Sequence, residues 1–210
     1  MNNNIISAGV PITKAAKALI MLHGRGAKAN DILSLAVHLN VKDFALLAPQ
    51  AQGNTWYPYS FLAPVNNNEP YLSQSLQAVA NTVIYAMNNG IAKRNIYLLG
   101  FSQGACLASE YMARNADRYG GLVVFTGGLI GEKINRDNYT GNFNSTPVFI
   151  GTSDPDFHVP VERVYATANI FKEMGAQVTE KVYVNMGHNV NQDELENANK
   201  IVFANTVELS

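Results

Sequence analysis

The pentapeptide Gly100-Phe101-Ser102-Gln103-Gly104 sets a hydroxyl between two glycines. That G-x-S-x-G spacing lets a serine ride on a sharp strand-to-helix turn, where side chains two positions to either side would collide. A serine held this way can attack a carbonyl if a general base takes its proton and a third group orients the base. His188 is the expected base. It stands in Asn185-Met186-Gly187-His188-Asn189, where Gly187 allows a turn back over the preceding elements. His158, just before Val159-Pro160, is the competitor, better suited to lining the mouth of a site. For the orienting acid the stretch Ile150-Gly151-Thr152-Ser153-Asp154-Pro155-Asp156 offers two carboxylates. Asp154 is preferred, because Pro155 fixes a turn behind it. Asp156 is the alternative, with a solvated turn or helix-start residue as its other reading.

Leu22-His23-Gly24-Arg25-Gly26 is an HGxG-type loop, whose glycines let backbone pass close to a substrate. The backbone N–H groups of Arg25 and Gln103 are the expected pair of donors to a developing oxyanion. His23 precedes Ser102 in the chain and is expected to hold the loop. The Arg25 side chain could meet an anionic substrate group or be solvated. Trp56, Tyr57, Tyr59 and Phe61 crowd the segment Pro49–Tyr71. Trp56 and Tyr57, with His158, are the candidate substrate-binding residues. Cys106 falls in the helix after Ser102 and is expected to pack under the sheet, so it does not rival the serine.

These groups need elements to hold them. Short apolar runs alternate with longer amphipathic ones. Strands are expected at Ala18–Leu22, Phe44–Ala48, Asn95–Leu99, Gly121–Phe125, Pro147–Ile150 and Val178–Val184, with Ile5–Ile12 as an extra edge strand. Helices are expected at Asn30–Leu39, Tyr71–Asn88, about Gln103–Arg118, Val161–Met174 and Asn191 to about Thr206. The alternation demands an α/β fold, a mostly parallel sheet with helices on both faces. Sites in such sheets lie beyond the carboxyl ends of the strands, and the candidate residues above fall in those loops.

Composition narrows the remaining classes. The chain has 210 residues, which suits one domain over 1–210. Fifteen Lys and Arg against sixteen Asp and Glu leave a net charge of −1, with no basic run to suit a nucleic acid. No apolar run approaches the ~18 residues of a membrane span, and the Asn-rich start lacks the pattern of a signal peptide. Neither nucleic-acid binding nor membrane insertion is expected. One cysteine permits no intrachain disulfide, and a cytoplasmic location is the expectation. The four histidines are scattered, with no HExxH or CxxC, so no metal site is expected. Pattern alone does not separate a monomer from a homodimer.

Taken together, LHGRGA (Leu22–Ala27), GFSQGA (Gly100–Ala105), TGGLIG (Thr126–Gly131), GTSDPDFHVP (Gly151–Pro160) and MGHNVNQDEL (Met186–Leu195) resemble the phospholipase/carboxylesterase family over nearly the whole chain. That family includes the acyl-protein thioesterases and small bacterial carboxylesterases. The resemblance implies an α/β-hydrolase fold and a triad of Ser102, Asp154 and His188. It implies oxyanion donors at Arg25 and Gln103, and neither metal nor organic cofactor. The segment Asp154–Pro160 is longer than the DPVVP form of many thioesterases. Only about twenty residues separate Phe125 from Pro147, too few for a large cap domain, so small or protruding esters are the expected substrates. The expected function is hydrolysis of short-to-medium acyl esters through an acyl-enzyme. A thioesterase or lysophospholipase is the alternative, and a non-catalytic small-molecule binder the remote one.

Overall fold

The computed structural model describes residues 5–204. Along the chain run β1 (Ile5–Gly9), β2 (Lys17–Leu22), α1 (Ala29–Leu33), β3 (Phe44–Pro49), α2 (Val65–Asn68) and α3 (Tyr71–Asn88). Then come β4 (Ile96–Phe101), α4 (Gln103–Arg114), β5 (Gly121–Phe125), β6 (Pro147–Asp154), α5 (Val161–Glu173), β7 (Gln177–Val184) and α6 (Gln192–Ile201). The strands form one seven-stranded sheet in the order β1-β3-β2-β4-β5-β6-β7. All neighbours are parallel except β1, which pairs antiparallel with β3 from Ile5 opposite Pro49.

Strand periodicity explains how a continuous apolar run serves both faces. Ala18, Ile20 and Leu22 of β2 join Leu98, Val124 and Ile150 on one face, under Val83 of α3, Leu107 of α4 and Phe171 of α5. Leu19 and Met21 join Leu99, Val123 and Phe149 on the other, under Ile32 of α1 and Leu195 of α6. Helices therefore cover both faces, as the alternation of elements requires.

Some boundaries differ from the sequence-based expectation, for local reasons. The helix expected at Asn30–Leu39 is one α-helical stretch that tightens into a 3₁₀ turn over Ser34–His38. The helix expected to Arg118 stops at Arg114, and the terminal helix ends at Ile201 within the described residues. Its expected continuation past residue 204 lies outside them. The difference that matters for the site is β6. Its apolar run ends at Ile150, yet the strand continues through Gly151-Thr152-Ser153 to Asp154 and stays paired with β7 up to Val184. Thr152 and Ser153 are fully buried. Small and polar residues carry this strand because β7, not apolarity, satisfies its backbone. Among the described residues, the segment between β5 and β6 carries one short 3₁₀ turn and no capping layer.

Candidate active site

Ser102 sits at the corner between β4 and α4, with φ +53° and ψ −119°. A serine at positive φ costs on the order of 1–3 kcal/mol, so the surroundings must enforce it. They do so at both ends. The Ser102 N–H donates to the Phe125 carbonyl at 3.0 Å, and the Ser102 carbonyl accepts from Cys106 N–H at 3.0 Å. The flanking glycines are dictated by contact. A Cβ on Gly100 would strike the Gly104 backbone, and one on Gly104 would strike the Leu22 and His23 carbonyls. The elbow closes only because neither position carries a side chain.

His188 lies in the loop after β7, and its Nε2 is 2.8 Å from Ser102 Oγ. Gly187, at φ +77°, turns the chain. The Gly187 N–H donates to Ser153 Oγ at 2.9 Å, which ties the loop to the end of β6. On the far side of the ring, His188 Nδ1 is 2.8 Å from Asp156 Oδ2. With Nδ1–H donating to the carboxylate, Nε2 keeps a lone pair for the serine proton, the tautomer a general base requires.

The structure corrects the choice of acid. Asp154 does not reach His188. It is exposed and closes the β6–β7 ladder, its carbonyl accepting from Asn185 N–H at 3.0 Å. The expectation fails because it ends the strand with the apolar run at Ile150. Asp156, beyond the Pro155 turn, has a side chain with 0% exposure. Its Oδ1 accepts the N–H groups of His158 at 2.7 Å and Val159 at 3.0 Å, leaving Oδ2 for the ring. Burial pushes its carboxyl up, but the His158 N–H, the His188 ring and the Val159 N–H outweigh it. The carboxyl is held below the usual range and stays ionised opposite the ring.

Among the described residues, no protein acceptor takes the N–H of Arg25 or of Gln103, the first residue of α4. Both residues line the same cavity as Ser102. Free N–H groups at a helix start and on an adjacent loop are the donor type an oxyanion needs. His23, fully buried, holds the loop as expected. Its Nδ1 donates to the Gly24 carbonyl at 2.8 Å and its Nε2 accepts from Ala51 N–H at 3.2 Å. Burial lowers its pKa, which keeps the ring neutral.

A cavity of about 420 Å³ opens beside Ser102, walled by Tyr57, Pro58, Tyr59, Phe61, Cys106, His158 and Val159. Tyr57 and His158 thus fall where expected, His158 edge-on to His188 with centroids 4.9 Å apart. Trp56 does not. It is 3% exposed and turned into the core, its Nε1–H donating to the His23 carbonyl at 2.8 Å. Arg25 is neither a free anion receptor nor merely solvated. Its guanidinium donates to the Pro58 carbonyl at 2.8 Å and the Tyr59 carbonyl at 2.7 Å.

The same wall is clamped elsewhere by polar side chains that the sequence does not flag. Gln103 accepts from Trp56 N–H at 3.0 Å and donates to the Tyr57 carbonyl at 2.7 Å. Buried Asn68 accepts from Tyr59 N–H at 2.8 Å and donates to the Ser60 carbonyl at 3.0 Å. The loop is therefore a built wall. Beneath it, burial pushes the Cys106 thiol up to about 12, so it is no nucleophile. Among the described residues, no group of three or more His, Cys, Asp or Glu could hold a metal ion. Among them also, no helix is long and apolar enough to cross a membrane.

Known proteins share this arrangement of elements. The family model described as phospholipase/carboxylesterase matches residues 3–205. Acyl-protein thioesterase 1 of Saccharomyces cerevisiae is 28% identical over 217 residues, covering 92% of this chain and 94% of its own. A phospholipase/carboxylesterase from Dyadobacter fermentans is 48% identical, with TM-score 0.95 over 96% of this chain and 97% of its own. The Bacillus cereus carboxylesterase, at 19% identity and TM-score 0.77 over 93% of this chain and 91% of its own, shares the fold.

Proposed function

The chain belongs to the phospholipase/carboxylesterase family of α/β-hydrolases, and we propose that it is a serine carboxylesterase acting on short-to-medium acyl esters. One observation carries this reading: the unbroken line from Asp156 through His188 to Ser102, with both hydrogen bonds at 2.8 Å. His188 takes the Ser102 proton as Oγ attacks the ester carbonyl. The Arg25 and Gln103 N–H groups hold the oxyanion, a donor worth about 3 kcal/mol each in barrier height. His188 then protonates the leaving alcohol, and water attacks the acyl-enzyme by the same route in reverse. Asp156 fixes the ring and stabilises its cationic form. No metal or organic cofactor enters these steps. A cytoplasmic location, a single domain and a small-molecule ester substrate complete the proposal, and size-exclusion chromatography separates a monomer from a homodimer.

The cavity supports the acyl-length part of the reading. It is walled by the clamped Tyr57–Phe61 loop and encloses about 420 Å³, so it suits a limited acyl chain. Similarity to the yeast acyl-protein thioesterase favours a second reading, a thioesterase using the same groups. Hydrolysis of 4-nitrophenyl esters from acetate to palmitate, by wild type and Ser102→Ala, tests the first. Short-chain turnover that vanishes in Ser102→Ala supports it. No turnover at any length, with turnover of matched thioesters, favours the second.

A further inference from the structure

Ser153 is fully buried in β6 and does not line the cavity beside Ser102. Its hydroxyl nevertheless makes two hydrogen bonds toward the site. It donates to the Pro155 carbonyl at 3.2 Å and accepts from the Gly187 N–H at 2.9 Å. Pro155 immediately precedes Asp156, and Gly187 immediately precedes His188. One buried oxygen therefore joins the turn that carries the acid to the turn that carries the base.

The acid turn has internal support, because Asp156 Oδ1 accepts the His158 and Val159 N–H groups. The base turn is held from outside. Beyond Val184 the chain reverses through Asn185 at φ +56° and Gly187 at φ +77°. An asparagine in that region is kept there by its surroundings. Asn191 Nδ2 donates to Met186 Sδ at 2.8 Å, which ties the turn to α6 rather than to the acid. The end of β6 supplies the other anchors. The Asp154 carbonyl accepts the Asn185 N–H at 3.0 Å, and the Ser153 hydroxyl accepts the Gly187 N–H next to the ring. We infer that Ser153 is a positioning residue for the general base, holding His188 in register with Asp156 through the backbone of the two turns. This rests on the esterase reading above. Ser153 touches neither substrate nor the reacting atoms.

The test compares Ser153→Ala with Thr152→Val. Thr152 is the preceding residue of β6, and its buried hydroxyl has no hydrogen-bond partner among the described residues. Its loss therefore removes a buried hydroxyl from the same strand without breaking the bridge. The first readout is kcat on 4-nitrophenyl butyrate, counted per site labelled to completion by a fluorophosphonate, so that misfolded protein drops out. A small misplacement of the base costs about tenfold to a hundredfold, and Ser153→Ala is expected to lose that much. The loss should be the same on acetate and octanoate esters, because Ser153 is not part of the cavity wall. Thr152→Val should stay within about threefold of wild type. Ser153→Cys, of nearly the same shape but a weaker donor and acceptor, should fall between wild type and Ser153→Ala. The second readout is NMR of the His188 ring nitrogens, which needs no turnover. Wild type and Thr152→Val are expected to keep the ring proton on Nδ1, and Ser153→Ala to exchange between tautomers. Near-normal kcat and an unchanged tautomer in Ser153→Ala, or equal losses in Ser153→Ala and Thr152→Val, overturn the inference while leaving the esterase reading intact. Tautomer exchange in Ser153→Ala with no ester hydrolysis by wild type would uphold the positioning role and sink the esterase reading.

Discussion

Replacing Asp156 by asparagine should all but silence the site, whereas the same change at Asp154 should not. In Asp156→Asn the side-chain carbonyl can still accept the His158 and Val159 N–H groups, so the turn should survive. The amide nitrogen would then face His188 Nδ1, where the carboxylate oxygen now lies at 2.8 Å. An N–H at that point demands a lone pair on Nδ1, which moves the ring proton to Nε2. Nε2 could then no longer accept from Ser102. Loss of the correct tautomer and of the stabilised imidazolium costs about 10⁴ in kcat in comparable triads, or about 5 kcal/mol. Asp154 is exposed and makes no contact with the ring, so Asp154→Asn should stay within about threefold of wild type. Steady-state kcat on 4-nitrophenyl butyrate reads both variants. A large loss in Asp154→Asn with near-normal Asp156→Asn would refute this geometry. The ionisation of Asp156 adds a stability signature. Its folded pKa lies below the unfolded one, so its contribution is full above the usual carboxylate value and is lost as pH falls through the depressed one. Asp156→Asn should lose that part of the acid dependence, seen as a smaller drop in Tm at the most acidic pH.

Two further outcomes concern the frame around the site. Gly104→Ala would drive a Cβ into the Leu22 and His23 carbonyls, so denaturant melts should show a loss of about 3 kcal/mol or no soluble protein. Glu194 is fully buried beneath β6, with one oxygen accepting Asn191 N–H at 2.9 Å and the other unpartnered. Burial first, and nearby Asp193 to a lesser degree, push its carboxyl up to about 7, against a partial offset from the Asn191 N–H. A raised acid pKa means the folded state holds the proton more tightly. Its stability is full below the unfolded carboxylate pKa and falls as pH rises to about 7. Glu194→Gln should therefore gain Tm over wild type from pH 5 to pH 8, and a gap that shrinks over that range would contradict the assignment.

The strands are legible because β2, β3 and β5 are continuous apolar runs, and the elbow because its glycines have a steric cause that spacing alone reveals. His188 follows from its place after the last strand. The acid is misplaced because Gly151-Thr152-Ser153 does not read as strand, although β7 pairs with it throughout. Counting back from Val159-Pro160 by the DPVVP spacing lands on Asp156, whereas counting forward from the apolar run lands on Asp154. Trp56 is misassigned because an aromatic beside a site and an aromatic under it look alike in sequence. The contacts of Arg25 with Pro58 and Tyr59, and those of Gln103 and Asn68 with the same wall, depend on backbone groups far along the chain. No local pattern encodes them.

Active-site labelling with a fluorophosphonate, read by intact mass and peptide mapping, tests the central claim most directly. The reagent needs an activated serine and an oxyanion hole, and it does not depend on knowing the natural ester. Wild type is expected to gain one adduct, mapped to Ser102, and Ser102→Ala none. An adduct on another residue, or equal labelling of wild type and Ser102→Ala, would contradict the account.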